Sequence, residues 1–385
     1  MQFNNLPARL VLEDGTIFTG KSFGATRCCS GEVIFNTSMF GYCETLTDPT
    51  FAGQVLTLTW PLIGNCGVPS QKIEDRGVRQ FFESNRIWPR GLVVSEYSEK
   101  YSHWNAVRSL ADWLKEENIP ALTGVDTRAI TMHLREKGTM LGTIEIAGED
   151  EMAVTAGGTA TVDSSVNDDA DPRKTNLFNM VSCKEIIEYE PNAEEIGNKK
   201  SVPKVVLVDC GTKNSVIRNL LKRGAKVIRV PWNHDFTTMD YDGVVISNGP
   251  GDPGFASETV ANVKKAMGNN KPIFGICMGN LILGKAAGAG TFRLRFGHHS
   301  SNQPVQLCGT DRTHVTPQNH GFALDPLRLS DGWEQWFVNL NDGTCAGIRH
   351  KTKPFFSVQF HPENCGGPKD SENIYDLFFT KIAAT

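Results

Sequence analysis

From Val202 onward, short apolar runs rich in β-branched residues alternate strictly with helical stretches. PKVVLVDCG is followed by helical KNSVIRNLLKRG, then AKVIRVP, DGVVISNG, a helix through ETVANVKKAMG, and KPIFGIC. Strands that read as unbroken apolar runs are covered on both faces, and a helix between successive strands provides the crossover that parallel pairing requires. This pattern predicts an α/β fold with a doubly wound, mostly parallel sheet. In such sheets, sites form just beyond the carboxyl ends of the strands.

The 200 residues before this point have a different grammar. RLVLEDGTIFTG places alternating apolar residues on either side of Asp14-Gly15, the signature of a hairpin, and GEVIFNTSM and GQVLTLTWPL read as further strands. NAVRSLADWLKEEN sets Val107, Leu110 and Leu114 on one helical face. In VDTRAITMHLREKG, Asp126 is placed to cap a helix that Gly138 ends. A chain of 385 residues exceeds what one hydrophobic core usually supports. Residues from about Gly148 to Lys200 turn small, polar and charged, although NLFNMVSCKEIIEYEP keeps enough apolar content to pack. The expected division is therefore a β-rich α/β domain over 1–150, a connecting region over 151–200 and the doubly wound domain over 201–385.

Composition removes several classes of function. A net charge of -4 lacks the basic footprint that phosphate-backbone binding needs, so no nucleic-acid partner is expected. No stretch approaches the roughly 18 apolar residues of a membrane span, and MQFNNLPARLVLEDG has no signal-peptide pattern, so a cytoplasmic protein without a membrane partner is expected. The ten cysteines form no CxxC pair, and no metal site is expected. His298 and His299 lack a carboxylate or thiol at ligand spacing and read as loop residues. QNHGFAL, with His320, reads as a polar turn entering an apolar strand and suits the lining of a pocket.

Three segments end a strand in a chemically loaded turn. In KPIFGICMGNLILGKAAGAG, the strand runs into Cys277 and directly on into a helix, flanked by Gly275 and Gly279. A sharp turn of this kind exposes a nucleophile above the sheet. The helix N-terminus favours a thiolate, and the N–H of Met278 is placed to meet an oxyanion. A buried, inert thiol remains the alternative reading. ISNGPGDPG, with Gly249 and Gly251, is either a plain tight turn or a loop whose N–H groups meet an anion. KPFFSVQFHPE ends a strand at His361, breaks it with Pro362 and places Glu363 two residues on, where an extended chain projects to the same side as the imidazole.

Together G-I-C-M-G, S-N-G-P-G-D-P and F-H-P-E, in this order, resemble the class I glutamine amidotransferases. FNTSMFGYCETLTDP, LTLTWPLIGNCG, GVDTRAITMHLREKGTM, SNQPV and QNHGFALD are similar to the small subunit of carbamoyl-phosphate synthetases and the matching segment of fused synthetases. The resemblance covers nearly the whole chain except about Gly148 to Thr175. It implies Cys277 as nucleophile, His361 as acid and base, and Glu363 as the group that orients His361. It implies oxyanion donors from the Gly249 to Gly251 loop and Met278, and a glutamine pocket lined by Asn319, Gly321 and Phe322. Ser38 would reach that pocket from the N-terminal domain.

The resemblance also implies L-glutamine as substrate and a synthetase partner or fused domain to receive the ammonia. ATP, Mg and bicarbonate would bind only there, with no cofactor in this chain. One position departs from the pattern: the family carries glutamine where this chain has Leu281, which removes an amide from the substrate pocket. Two rivals follow. One is a regulatory or docking module of an ammonia-dependent synthetase, without catalysis. The other is a free-standing hydrolase of γ-glutamyl compounds, against which the N-terminal half argues. Pyrimidine and arginine synthesis both remain open as destinations of the product.

Overall fold

The alternation after Val202 folds as expected, and a computed structural model shows it as the centre of a ten-stranded sheet. The structure describes residues 6–72, 76–147, 171–172, 174–197, 201–363 and 367–385. The chain divides into two units, one of Met1–Gln71 and Asn85–Thr175, the other of Lys72–Ser84 and Asn176–Thr385. Of the connecting region expected over 151–200, residues 151–170, 173 and 198–200 lie outside the described residues.

The first unit contains a closed barrel with strand order Pro7–Leu12, Ile17–Ser22, Ala121–Thr123, Gly91–Val94, Gln54–Leu58, Cys29–Asn36 and Met140–Ile146. Its opening hairpin turns where Gly15 takes a φ of 85°, which glycine adopts without steric cost. The helix Thr127–Lys137 begins at Asp126, whose side chain accepts from the Ala129 N–H at 2.9 Å, and ends at Gly138 with φ 98°. The other expected helix starts later than its apolar spacing suggested. Ala106–Arg108 is a strand with Val107 exposed, and the helix Leu110–Glu116 begins after Ser109, whose hydroxyl accepts from the Asp112 N–H. The Ser109 cap overrides the periodicity that included Val107.

In the second unit, the strands Lys226–Pro231, Lys204–Asp209, Gly243–Ile246, Ile273–Ile276 and Phe355–Val358 lie side by side and parallel. Their residues divide alternately between two apolar clusters, Val206 and Val208 in one, Val205 and Leu207 in the other. Burial on both faces explains why these runs read as continuously apolar. The sheet then continues antiparallel through Cys345–His350, Thr313–Asp325, Gly290–Leu307 and Trp333–Asn339, an extension the parallel pattern did not announce. These strands follow one another through short connections with no α-helix between them, which suits antiparallel pairing, whereas parallel pairing needs a long crossover. NLFNMVSCKEIIEYEP packs with this unit: Phe178 joins its core, and Ile187–Tyr189 pairs antiparallel with Lys226–Pro231.

Candidate active site

Because the central strands are parallel, their carboxyl ends share one edge, and the three loaded turns leave from neighbouring positions on it. Gly243–Ile246 runs into the Gly249 loop, Ile273–Ile276 into Cys277, and Phe355–Val358 toward His361. Cys277 adopts φ 53° and ψ -99° as the cap of the helix Met278–Ala286, a conformation that residues other than glycine seldom hold. The flanking glycines follow from close packing. A Cβ on Gly279 would lie 2.1 Å from the Ile246 carbonyl oxygen, and one on Gly275 would lie 2.4 Å from that of Gly279. The Cys277 N–H bonds the Val358 carbonyl at 2.9 Å, and its thiol donates to the Asn319 carbonyl at 3.5 Å. Met278 stands at the first helical position, where the N–H has no carbonyl partner within the helix.

His361 and Glu363 are both buried, and Nδ1 of the imidazole lies 2.7 Å from Oε1 of the carboxylate. Nδ1–H therefore donates to Glu363, leaving Nε2 to exchange protons, and Nε2 has no hydrogen-bond partner among the described residues. Burial pulls the imidazole toward its neutral form, and the Lys213 ammonium adds to that. Glu363 and the Cys277 sulfur outweigh both, raising His361 to about 9. Glu363 is lowered to about 2: burial opposes ionisation, but Lys213 and His361 together overcome it.

Lys213 is the residue the sequence reading missed. It precedes the helix Asn214–Lys222, and its Nζ lies 2.5 Å from Glu363 Oε1 in a buried ion pair. Two carboxylates fix the loop that carries it. Asp209 accepts from the N–H groups of Gly211 and Thr212 and pairs with Arg229, while Asn248 bonds both the Gly211 carbonyl and the Lys213 N–H. Glu83, from the Lys72–Ser84 segment, caps the helix through the Ser215 N–H and hydroxyl and pairs with Arg218. Nothing local in KNSV distinguishes this lysine, and its partner lies at the far end of the chain.

Gly249 packs so tightly that a Cβ would fall 2.0 Å from the Cys210 carbonyl oxygen, and Gly251 takes φ 81°. This loop is shaped by backbone approach. Asn319, Gly321 and Phe322 lie in the strand Thr313–Asp325; a Cβ on Gly321 would meet nothing within 4 Å. Leu281 is buried in an apolar cluster against which Phe322 also packs. Ser38 belongs to the first unit, where its N–H bonds Asn36 Oδ1 at 2.7 Å.

The histidines expected in a loop and a turn lie instead in paired strands. His298 and His299 belong to Gly290–Leu307, His320 to Thr313–Asp325, and all three are buried. They form a polar layer: His298 contacts Gln318 and Asp342, His299 contacts Asn319 Oδ1 at 2.5 Å, and His320 contacts Gln318 and the Phe322 carbonyl. Burial holds His299 neutral, lowered to about 4.

The strand-ending cysteine elbow and the buried histidine–carboxylate pair lie in a region, residues 206–381, that matches the model of class-I glutamine amidotransferases. Residues 10–144 match the carbamoyl-phosphate synthase small chain, CPSase domain. With both regions present in this order, the chain belongs to the carbamoyl-phosphate synthase small-chain family. It is 47% identical over 378 residues to human mitochondrial carbamoyl-phosphate synthase [ammonia], an alignment covering 97% of this chain and 24% of that protein. It is 47% identical over 373 residues to multifunctional protein CAD of Squalus acanthias, covering 96% of this chain and 16% of that protein. It is 43% identical over 387 residues to multifunctional protein URA2 of Saccharomyces cerevisiae, covering 97% of this chain and 17% of that protein. The chain thus spans a quarter or less of the length of these relatives. Among the described residues, no helix is long and apolar enough to cross a membrane.

Proposed function

We propose that the chain hydrolyses L-glutamine to glutamate and ammonia and passes the ammonia to a carbamoyl-phosphate synthetase partner or fused domain. The observation that carries this reading is the strained Cys277 elbow on the sheet edge from which His361, bonded to Glu363, also projects. The Cys277 thiolate attacks the carbon of the side-chain amide, and the carbonyl electrons move onto oxygen. N–H groups of Met278 and the Gly249 to Gly251 loop meet that charge. His361 Nε2–H protonates the nitrogen, the C–N bond breaks, and ammonia leaves a thioester. The now neutral imidazole takes a proton from water, the resulting hydroxide attacks the thioester, and collapse of the second oxyanion breaks the C–S bond to free glutamate and thiolate. Glu363 holds the tautomer and offsets the imidazolium charge. Asn319, Gly321 and Phe322 line the glutamine site. ATP, Mg and bicarbonate serve the synthetase portion.

In the assembled enzyme, Cys277→Ala is expected to abolish carbamoyl phosphate synthesis from glutamine while leaving synthesis from added ammonia largely intact. Loss of both activities without loss of assembly overturns the assignment. A second reading, a docking or regulatory module that no longer hydrolyses glutamine, is favoured by Leu281 and by the ammonia designation of the human relative. It predicts that wild-type protein forms no glutamyl thioester when quenched with acid during turnover.

A further inference from the structure

The segment from Phe355 to His361, a strand as far as Val358, alternates sharply in character. Phe356, Val358 and Phe360 face one apolar cluster, while Ser357, Gln359 and His361 are buried polar residues projecting the other way. Two buried polar side chains preceding a catalytic histidine on its own side need partners, and they find them on the helix that Cys277 opens. The Ser357 hydroxyl donates to Asn280 Oδ1 at 2.8 Å. Asn280 Nδ2 donates to Gln359 Oε1 at 2.7 Å. Gln359 Nε2 then donates to Cys277 Sγ at 3.8 Å. Ser357, Asn280 and Gln359 are each at most 1% exposed, so the chain of bonds runs without solvent.

We infer that Gln359 is a positioning residue for the nucleophile, an amide donor held by Asn280 and Ser357 that favours the thiolate of Cys277 over the thiol. The inference rests on Cys277 being the nucleophile. Beside the His361 imidazole, which the sulfur helps to charge, two further groups meet the sulfur with opposite preferences. The Asn319 carbonyl accepts the thiol proton at 3.5 Å and suits the neutral form. The Gln359 amide donates and gains strength when the sulfur becomes an anion. Orientation is the critical property, since a flipped Gln359 would turn its carbonyl oxygen toward the sulfur and penalise the charge. The relay fixes the orientation: with Asn280 Oδ1 taken by Ser357, Asn280 Nδ2 faces Gln359 and must be met by Oε1. The backbone holds the frame, because the Gln359 N–H bonds the Ala346 carbonyl and the preceding carbonyl, Val358, accepts from the Cys277 N–H.

The test is the pH dependence of Cys277 alkylation by iodoacetamide in the full chain, read on the Cys277 peptide by mass spectrometry, together with glutamine hydrolysis. Gln359→Met keeps the volume and removes the donor. Its alkylation midpoint is expected to rise by about one pH unit, with kcat near pH 7 falling roughly tenfold and KM nearly unchanged. Gln359→Glu keeps the shape and turns a carboxylate toward the sulfur. Its midpoint is expected to rise further, and it serves if the methionine variant does not fold. A midpoint within about 0.3 units of wild type in a folded variant overturns the role of Gln359. Cys277→Ala separates this failure from the larger one: if that variant still hydrolyses glutamine, the nucleophile assignment itself falls.

Discussion

Nζ of Lys213 lies 2.5 Å from Oε1 of Glu363, the same oxygen that accepts the His361 Nδ1–H at 2.7 Å. One carboxylate oxygen thus serves two cations, and Lys213 acts on the imidazole in two opposing ways. It keeps Glu363 ionised, which supports the imidazolium, and it repels that imidazolium directly.

Lys213→Met should therefore separate stability from titration. Removing one partner of a buried pair costs on the order of 3 kcal/mol, partly recovered here because Glu363 keeps His361. The basic limb of the kcat/KM profile for glutamine should move upward, since the direct repulsion is gone. A limb that moves downward, in a variant shown to be folded by thermal unfolding, would refute the arrangement.

Glu363→Gln should do the reverse. His361 is raised from an ordinary 6.5 to about 9, so its contribution to stability is complete below about 6.5 and fades as pH rises through 9. Glu363 is lowered from 4.5 to about 2, so its contribution is present above about 4.5 and lost as pH falls through 2. Both act fully between about 4.5 and 6.5. In the glutamine variant the basic limb of kcat/KM should fall by one to two units, roughly. The Tm gap to wild type should be widest between about pH 5 and 6.5 and narrow above about 9. A Tm gap independent of pH would show that the pair is not coupled.

Two glycine substitutions should fail for different reasons. Gly279→Ala drives a Cβ to 2.1 Å from the Ile246 carbonyl and should cost about 3 kcal/mol or more, seen as a large drop in Tm. Gly321→Ala meets nothing within 4 Å and should leave Tm nearly unchanged. If the open space beside Gly321 is where glutamine sits, the added methyl should raise KM about tenfold with kcat spared. An unchanged KM would remove Gly321 from the pocket.

Leu281→Gln should lower KM for glutamine by about tenfold with little change in kcat, by restoring an amide worth about 1 to 2 kcal/mol to a polar substrate. Asn280 cannot already fill that role, because both ends of its amide are engaged by Ser357 and Gln359. A KM that stays the same or rises would mean that the apolar packing of Leu281 matters more than a substrate contact.

The Cys277 elbow was legible in the sequence because its constraints are local. A residue forced to positive φ between two packed strands and a helix demands glycine on both sides, and GICMG displays them. His361 and Glu363 were legible because extended backbone brings alternate residues to one side. Lys213 and Glu83 were not, since each acts through a partner remote in sequence and carries no local pattern. His298 and His299 were misplaced for a related reason. Buried polar residues in a strand look like loop residues until their partners, Gln318, Asp342 and Asn319, are seen across the sheet. Val107 was drawn into a helix by spacing when the stronger signal, the cap at Ser109, stood two residues on.

The detour of Lys72–Ser84 into the second unit means that the unit carrying Cys277, His361 and Glu363 cannot be excised with a single cut. A fragment beginning at Asn176 would keep every residue of the proposed triad yet lose Glu83, and with it the cap on the helix that Lys213 precedes. A boundary drawn on the linear sequence therefore runs through the site's own foundation.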